Sequence, residues 1–215
     1  EVRGNSVVIS CGDSRAGWVE AYEAFLDLAF STEFDHNRSV TVYVDLSRVR
    51  SAGQKLQGFG GTSNPVRLPD LFPRLAKILN DAYGRQLTSV EVCLLIDEAA
   101  VTIVAGNIRR SAGMRQFSSD DEAAANAKDN LWQQDDAGNW RIDPARDALR
   151  MANHTRVYHQ TPDYQTVLNA VTKQFQSGEG AIQFAPEAIA RSNADLLNDF
   201  QKKYNFLMKY GRFGS

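Results

Sequence analysis

The chain has 215 residues, of which 43% are apolar and 23% charged, so it can bury a core as one large domain or two small ones. A formal net charge of −2 gives no basic field for a nucleic-acid partner. Acidic residues break the longest apolar run before it reaches the ~18 residues that span a bilayer. The first residues also lack the apolar segment of a signal peptide. We therefore expect a cytoplasmic protein with no membrane and no nucleic-acid partner.

The first part of the chain alternates β-branched segments with an amphipathic helix. The segment NSVVIS predicts a strand, and VTVYVDLS predicts a second one. Between them, Asp13 and Ser14 are good N-cap residues for a helix. The apolar residues of that helix recur at helical spacing: Trp18, Ala21, Tyr22, Phe25, Leu28 and Ala29. After the second strand comes a loop of about twenty residues, a length that is usually functional or disordered.

Two helices are predicted next. The first covers PDLFPRLAKILNDAYG, with Gly84 as its C-cap. The second begins at a capping box formed by Thr88 and Glu91. Its apolar residues occupy nearly all sides, which indicates a buried helix ending at Gly106.

The remaining sequence is more polar. The stretch from Phe117 to Ala152 favours surface helix and loop. A further helix is predicted from Thr161 as N-cap, with Pro162 at the first helical position. GEGAIQF indicates a glycine turn and a short strand, and helix resumes after Pro186.

The cysteines and histidines show little catalytic pattern. Cys11 and Cys93 have no C-x-x-C spacing, so we expect reduced thiols. Cys93 fits a small hydrophobic role in its helix, whereas Cys11 precedes a helix start and could have a lowered pKa there. The three histidines lack further ligands at metal-binding spacing, so no metal site is predicted; they are His36, His154 and His159.

Two short motifs could contact a ligand. GFGGTSNP, residues 58–65, can bring backbone N–H groups close to a phosphate or sugar, although an ordinary loop explains the pattern equally well. GNIRRSAG, residues 106–113, presents two arginines whose planar guanidinium groups suit a phosphate or base edge. The alternative for this second motif is a surface turn with a salt bridge.

Taken in order, four segments resemble the adenosylcobalamin-dependent (class II) ribonucleotide reductases, of the monomeric ribonucleoside-triphosphate reductase type. The segments are GDSRAGWVEAYEAFLDLAF, VDLSRVR, GFGGTSNPVRLPDLF and VAGNIRRSA, and the later GEGAIQFAPEAIARSNADLL also looks like family sequence. The resemblance covers essentially the whole chain. It implies an α/β fold in which residues 1–57 are a helix and strand insertion that builds an effector site. Residues 58–215 would then be part of the family's ten-stranded α/β barrel.

The resemblance also implies a function. The family reduces ribonucleotides at the 2′ carbon through a cysteine thiyl radical that adenosylcobalamin generates, and thioredoxin or a similar dithiol restores the electrons. A deoxynucleoside triphosphate effector selects the ribonucleoside triphosphate substrate. The substrate-specificity loop would comprise Gly106, Asn107, Arg109, Arg110 and Ser111. The implied effector-binding residues are Asp13, Arg15, Gly60, Gly61, Thr62, Ser63 and Asn64.

The chain departs from a complete enzyme of this kind. It has no N-P-C-G-E motif, and neither Cys11 nor Cys93 stands in the context of the radical or redox cysteines, so no catalytic residue is expected. GTSNP is one residue shorter than the family's frequent G-T-A-S-G-P. We expect an internal portion of the reductase. The alternative is a non-catalytic nucleotide-binding half of a split enzyme.

Overall fold

A computed structural model describes residues 2–3, 5–31, 39–55, 63–102, 113–191 and 199–210. The chain forms two compact units, an N-terminal unit (Glu1–Ser111) and a C-terminal unit (Ala112–Ser215). The polar turn predicted between the first helix and the second strand lies mostly outside the described residues, as do Gly60, Gly61 and Thr62. The whole predicted specificity loop lies outside them as well.

The N-terminal unit contains a three-stranded sheet and three α-helices. Its elements are β1 (Val2–Arg3), β2 (Ser6–Ser10), α1 (Arg15–Phe30), β3 (Thr41–Asp45), α2 (Leu68–Asp81) and α3 (Ser89–Thr102). β1 pairs antiparallel with β2, and β2 pairs parallel with β3, from Ser6 opposite Thr41 to Ser10 opposite Asp45. Because parallel neighbours cannot be joined by a tight turn, α1 lies on the connection between them. Both predicted strands and the first predicted helix are confirmed.

One hydrophobic cluster holds this unit together. It joins residues from β2, the loop that follows it, α1, α2 and α3: Val7, Ile9, Cys11, Ala21, Phe25, Leu68, Leu71, Phe72, Leu75 and Leu95. The rings of Phe25 and Phe72 lie 5.5 Å apart at 60°, a tilted arrangement that aromatic pairs favour. The cluster therefore includes residues on both sides of position 57, where the sequence suggested a division; that division stays a prediction.

The two predicted helices of this unit exist, with differences at their ends and faces. α2 ends at Asp81 with Ala82 as C-cap, so the predicted C-cap at Gly84 is wrong. Gly84 instead has a φ of +79°, which a glycine adopts without strain, in the turn that follows.

The prediction that α3 is buried on nearly all sides by apolar residues is only partly correct. It buries Asp97 and Glu98, while Val92 and Ile96 are 41% and 47% exposed. Glu98 can be buried because Arg74 of α2 donates to its carboxylate at 3.0 Å.

The C-terminal unit is built on a second three-stranded sheet. Its elements are β4 (Gly113–Ser118), α4 (Glu122–Ala125), β5 (Trp132–Gln134), β6 (Trp140–Ile142), β7 (Ala152–Tyr158), α5 (Tyr164–Ser177), β8 (Ala181–Phe184), α6 (Ala185–Ala190) and α7 (Phe200–Tyr210). The sheet order is β4-β7-β8 and both pairings are parallel. β5 and β6 form a separate antiparallel hairpin.

The sequence reading of this unit was partly wrong. The stretch expected to be surface helix and loop contains β5 and β6 as well as the short α4, and β4 and β7 extend into its two ends. α5 begins two residues later than predicted, because Asp163 rather than Thr161 is the N-cap and accepts the N–H of Thr166 at 2.7 Å. The predicted short strand is confirmed as β8.

The described residues thus form a mixed α/β protein with parallel sheets, as predicted. Among the described residues, the β1-β2-β3 and β4-β7-β8 sheets have three strands each, and the β5-β6 hairpin has two. These strands do not establish the predicted ten-stranded barrel, which stays a prediction.

Candidate functional site

The strongest candidate site lies at the carboxyl ends of β2 and β3. These strands are parallel, so both of their following loops leave from one edge of the sheet. The N–H of Cys11 donates to the carbonyl of Asp45 at 2.9 Å, which extends the pairing to this edge. Ligands of open α/β sheets bind in the crevice outside such carboxyl ends. The edge therefore places the loop before α1 beside the segment that follows β3.

An ion pair joins these two loops. The Nε of Arg50 donates to Asp13 Oδ1 at 3.0 Å and to Oδ2 at 2.9 Å, and the backbone N–H of Arg50 donates to Oδ1 at 3.1 Å. Both side chains are about one third exposed, at 35% and 33%. The hydrogen bonds from Arg50 hold the pKa of the Asp13 carboxyl below its usual value. Asp13 is thus ionised at neutral pH and its carboxylate is directed at Arg50.

Ser63 ties the end of the long loop to the same region. Its N–H donates to the carbonyl of Gln54 at 2.7 Å, and its own carbonyl accepts the N–H of Gly53 at 2.9 Å. Its hydroxyl donates to the carbonyl of Ser51 at 2.5 Å. Ser51 follows Arg50 directly, so Ser63 and Asp13 are linked through two adjacent residues.

The start of α1 is the third component. Ser14 is the N-cap and its hydroxyl accepts the N–H of Gly17 at 3.0 Å, as the sequence predicted. The first turn of α1 contains no acidic residue. A helix N-terminus carries N–H groups and a partial positive charge that favour an anion. Arg15, the first residue of this helix, is exposed and adds a positive charge.

Two glycines allow this loop to lie against the helix. A Cβ atom added at Gly17 would lie 2.6 Å from Cα of Gly12 and 2.8 Å from its carbonyl oxygen. No side chain fits there without displacing the backbone. The sequence GDSRAG thus folds into a tight loop over the first turn of α1.

Four of the predicted effector residues can therefore be located: Asp13, Arg15, Ser63 and Asn64. Asp13 and Arg15 flank the N-cap of α1, and Asn64 follows Ser63 and precedes a 3₁₀ turn at Pro65–Arg67. The structure also identifies Arg50, which the sequence reading left without a role although it stands in the family-like segment VDLSRVR. Its partner is 37 residues away in the chain, so local pattern could not reveal the contact.

Both cysteines are buried. Cys11 is fully buried, with its Sγ 3.8 Å from the carbonyl oxygens of Gly12 and Gly17. Burial raises the pKa of its thiol, with the nearby Asp13 carboxylate adding to the effect. The lowered pKa that a reactive Cys11 would need is therefore not found. Cys93 is buried in α3, as expected for a small apolar residue.

In the described part of the chain, no three His, Cys, Asp or Glu side chains are grouped as a metal site would require. His154, one of the three histidines considered above, is buried and its Nδ1 lies 3.2 Å from the carbonyl oxygen of Ala124. Across the same ranges, none of the helices combines the length and apolar character needed to traverse a bilayer.

The part of the chain that contains the candidate site matches a known protein family. Residues 3–79 match the family described as B12-dependent ribonucleotide reductase, insertion domain. Residues 3–79 of this chain are therefore similar to that insertion domain. The Asp13–Arg50 pair and the Ser63 contacts all lie within the matched residues 3–79.

Curated relatives agree with this assignment. The chain is 34% identical over 119 residues to the adenosylcobalamin-dependent ribonucleoside-triphosphate reductase of Lactobacillus helveticus, and 38% identical over 122 residues to that of Lactobacillus delbrueckii subsp. bulgaricus. Each match covers 55% of this chain and 16% of the relative. The chain thus spans only a small part of the length of these relatives.

A solved structure supports the fold. It is a B12-dependent (class II) ribonucleotide reductase, with a TM-score of 0.56 and 23% sequence identity. The match covers 73% of this chain and 20% of that one. The likeness therefore extends beyond the insertion domain in fold.

Proposed function

We propose that this chain is a portion of an adenosylcobalamin-dependent ribonucleoside-triphosphate reductase and that its insertion domain binds a deoxynucleoside triphosphate effector. The observation that carries the proposal is the match of residues 3–79 to the insertion-domain family. Within that domain, Asp13 and Ser63 meet the adjacent residues Arg50 and Ser51 at one sheet edge. This edge is the place where an α/β sheet receives a ligand.

Each residue would have a distinct role in effector binding. The N-terminus of α1 and the charge of Arg15 would attract the triphosphate. Asp13 would act as a positioning residue, because it holds the Nε of Arg50 and so fixes the direction of the guanidinium group. Ser63 would anchor the loop whose preceding residues, Gly60 to Thr62, would approach the nucleotide with their backbone.

Substrate selection would be coupled to this site through the loop Gly106–Ser111. In sequence, the loop lies between α3, which ends at Thr102, and β4, which begins at Gly113. We propose that Asn107, Arg109 and Arg110 respond to effector and substrate. Allostery of this kind is a coupling free energy, in which ligands at both ends favour one of two loop arrangements.

Catalysis would belong to the complete enzyme. The relatives' names state dependence on adenosylcobalamin, and that cofactor would supply the radical that starts 2′ reduction. The described residues do not fit a direct part in this step, since Cys11 and Cys93 are both buried. Thioredoxin or a similar dithiol would serve as reductant, and the β4-β7-β8 sheet would be part of the ten-stranded barrel.

Effector binding can be tested on the chain alone by isothermal titration calorimetry with each of the four deoxynucleoside triphosphates. We expect binding by at least one, and at least a tenfold loss, about 1.4 kcal/mol, in Arg15→Ala and Arg50→Ala. Lys77→Ala is the matched control, because Lys77 is exposed on α2 and pairs with Asp81. Absence of binding, or equal affinity in all variants, would contradict the proposed site.

Two further experiments address the whole enzyme. In the full-length parent, Arg110→Ala should make substrate preference independent of the effector; unchanged preferences would contradict the role of the loop.

Reading the gene sequence on both sides of this segment separates the single reductase from the split enzyme. An in-frame N-P-C-G-E downstream supports a single reductase, whereas a stop codon and a complementing gene support a non-catalytic nucleotide-binding half.

A further inference from the structure

A directional contact joins α1 to α3 inside the N-terminal unit. The hydroxyl of Tyr22 on α1 donates to the backbone carbonyl of Leu95 on α3 at 2.9 Å, although the two residues are 73 positions apart in the chain. Tyr22 is half-buried against the hydrophobic cluster that contains Leu95. Burial raises the pKa of its hydroxyl, so Tyr22 remains a hydrogen-bond donor at neutral pH.

The contact lies between the candidate site and the end of α3. Tyr22 lies two helical turns, about 10 Å, after Arg15 at the start of α1. Leu95 lies two turns, again about 10 Å, before Thr102 at the end of α3. A change at the first turn of α1 can therefore reach the last turns of α3 through this hydrogen bond.

The two helices also share apolar contacts, which respond differently to a displacement. α1 is held in the cluster by Gly17, Ala21 and Phe25, which lie four residues apart on one side of the helix. Burial of apolar surface is non-directional, whereas a hydrogen bond weakens steeply when its geometry changes. The Tyr22–Leu95 bond is therefore more sensitive to a small shift of α1 than the apolar contacts are.

We propose that Tyr22 is a positioning residue that couples effector occupancy at the start of α1 to the last two turns of α3. This inference rests on the proposed function, because it requires an effector at the first turn of α1. An anion bound at a helix N-terminus stabilises the first turns of that helix. α1 then holds the Tyr22 hydroxyl on the Leu95 carbonyl, which in an α-helix also accepts the N–H of Ala99.

The consequence is a regulated α3. A ligand that orders one element reduces the motion of the elements bound to it, and this is a form of coupling between sites. Effector binding should therefore make the turns from Leu95 to Thr102 more rigid. α3 precedes the proposed specificity loop in the chain, so its rigidity would bear on substrate selection.

Helix α2 offers a rival route to α3. Its Arg74 donates from Nη1 to Oε1 of Glu98 at 3.0 Å, and the arginine side chain is 41% exposed. Water weakens an exposed ion pair. The 3₁₀ turn Pro65–Arg67 also separates Ser63 from α2, whereas Arg15 is itself part of α1. The observations therefore favour Tyr22, and a role for Arg74 becomes an outcome of the test.

Amide hydrogen exchange of α3 in the full chain tests the coupling. Exchange of residues 95–102 is followed by mass spectrometry, with and without the deoxynucleoside triphosphate that binds most tightly in calorimetry. In the wild type, the bound nucleotide should slow this exchange about fivefold, the lower end of usual allosteric coupling. Tyr22→Phe removes only the hydroxyl, so it should bind the nucleotide almost as tightly and lose most of the slowing.

Tyr43→Phe is the matched control. Tyr43 is 59% exposed on β3, so this variant removes a tyrosine hydroxyl from the same unit without touching α3. It should keep both the nucleotide affinity and the response of α3. In the full-length parent, Tyr22→Phe should keep its turnover without effector and show a weaker influence of the effector on substrate preference. An undiminished influence would contradict the coupling.

The outcomes separate this inference from the proposed function. If no deoxynucleoside triphosphate binds, the proposed function fails and the coupling fails with it. If one binds but α3 exchange does not respond, or responds equally in Tyr22→Phe, the coupling is wrong and the binding site stands. Exchange that is faster in Tyr22→Phe by the same factor with and without nucleotide would show a purely structural role. Loss of the response in Arg74→Ala alone would assign the route to α2.

Discussion

Gly17 shows how one residue can determine the candidate site. In an ordinary helix, alanine in place of glycine is favourable by up to about 1 kcal/mol. Here the added Cβ would lie 2.6 Å from Cα of Gly12, and backbone cannot move aside as a flexible side chain can. Overpacking of this kind costs roughly 1–3 kcal/mol. We expect the cost of overpacking to exceed the gain in helix propensity, because Gly17 lies in the first turn of α1, where that gain is smallest.

We therefore predict that Gly17→Ala lowers the free energy of unfolding of the N-terminal unit by about 1–2 kcal/mol. The measurement is urea unfolding followed by fluorescence of the half-buried Trp18. Gly12→Ala is the matched control, because its Cβ would meet Cα of Gly17 at an ordinary 3.4 Å. If both variants unfold at the same urea concentration, the close approach of the two backbones is not a constraint on stability.

We predict that His154 makes the stability of the C-terminal unit depend on pH. Burial lowers the pKa of this histidine, and the charges of Lys128 and Arg115 act in the same direction, while the contact with the carbonyl of Ala124 and the charge of Glu179 oppose them. A histidine with a depressed folded pKa is protonated more readily in the unfolded chain. The stabilisation is therefore present above the unfolded pKa near 6.5 and is lost as the pH falls through the lower folded value.

The free energy of unfolding should fall as the pH is lowered from about 7.5 to about 5, a range that includes the ordinary histidine pKa. His154→Asn keeps a donor for Ala124 and cannot titrate, so its decline with acid should be shallower although its stability at pH 7 is lower. His159→Asn replaces an exposed histidine in the same way and is the matched control. Equal slopes in the wild type and His154→Asn would show that another group controls the acid sensitivity.

At the scale of one element, the start of α3 was predicted in detail. Thr88 and Glu91 form the expected reciprocal capping box: the N–H of Thr88 donates to Glu91 Oε2 at 2.8 Å, and the N–H of Glu91 donates to Thr88 Oγ1 at 3.2 Å. Arg85 adds hydrogen bonds to both carboxylate oxygens, at 2.6 and 2.8 Å. The bonds from Arg85, followed by those from Thr88, lower the pKa of Glu91 to about 2.

Thr88→Ala should lower the free energy of unfolding by about 1 kcal/mol, the usual value of an N-cap hydroxyl. Glu91→Gln should cost less at neutral pH, because the amide oxygen still accepts the N–H of Thr88. The carboxylate's own contribution is present above about pH 4.5 and is lost as the pH falls towards about 2. Acid unfolding curves of wild type and Glu91→Gln should converge over that range; parallel curves would argue against the Arg85 contact.

Other elements show where sequence reasoning fails. β2, β3 and α1 follow from β-branched runs and helical spacing, and they were predicted. β7 was not, because its buried residues include His154 and Thr155, which conceal the apolar pattern of a strand. Likewise, Glu98 is buried on α3 through its contact with Arg74, 24 residues away in the chain. A local sequence pattern carries no information about a contact with a residue that is distant in the chain.

Prediction of the candidate site from the sequence was limited for the same reason. The sequence located Asp13 and Ser63 through resemblance, yet their partners lie 37 and 12 residues away and only the parallel pairing of β2 and β3 brings them to one edge. Arg50 was missed for this reason. The residues next to Arg50 in the chain do not indicate that it contacts the carboxylate of Asp13.

At the scale of the whole molecule, the N-terminal unit should fold alone. Every member of its hydrophobic cluster lies between Val7 and Leu95, and its sheet is completed by strands that end at Asp45. Since these described residues all precede position 111, we expect the interior of this unit to form without the rest of the chain. For a domain of this size we expect a free energy of unfolding of about 5–10 kcal/mol.

A chain of residues 1–111 should therefore unfold in one cooperative urea transition. Trp18 is its single tryptophan, since Trp132 and Trp140 lie in the C-terminal unit, so fluorescence reports on this unit alone. Gly17→Ala should shift the midpoint by the same amount in residues 1–111 as in the full chain, because Gly12, its steric partner, is present in both. A gradual transition, or a shift seen only in the full chain, would mean that the cluster between Val7 and Leu95 is insufficient to stabilise the N-terminal unit.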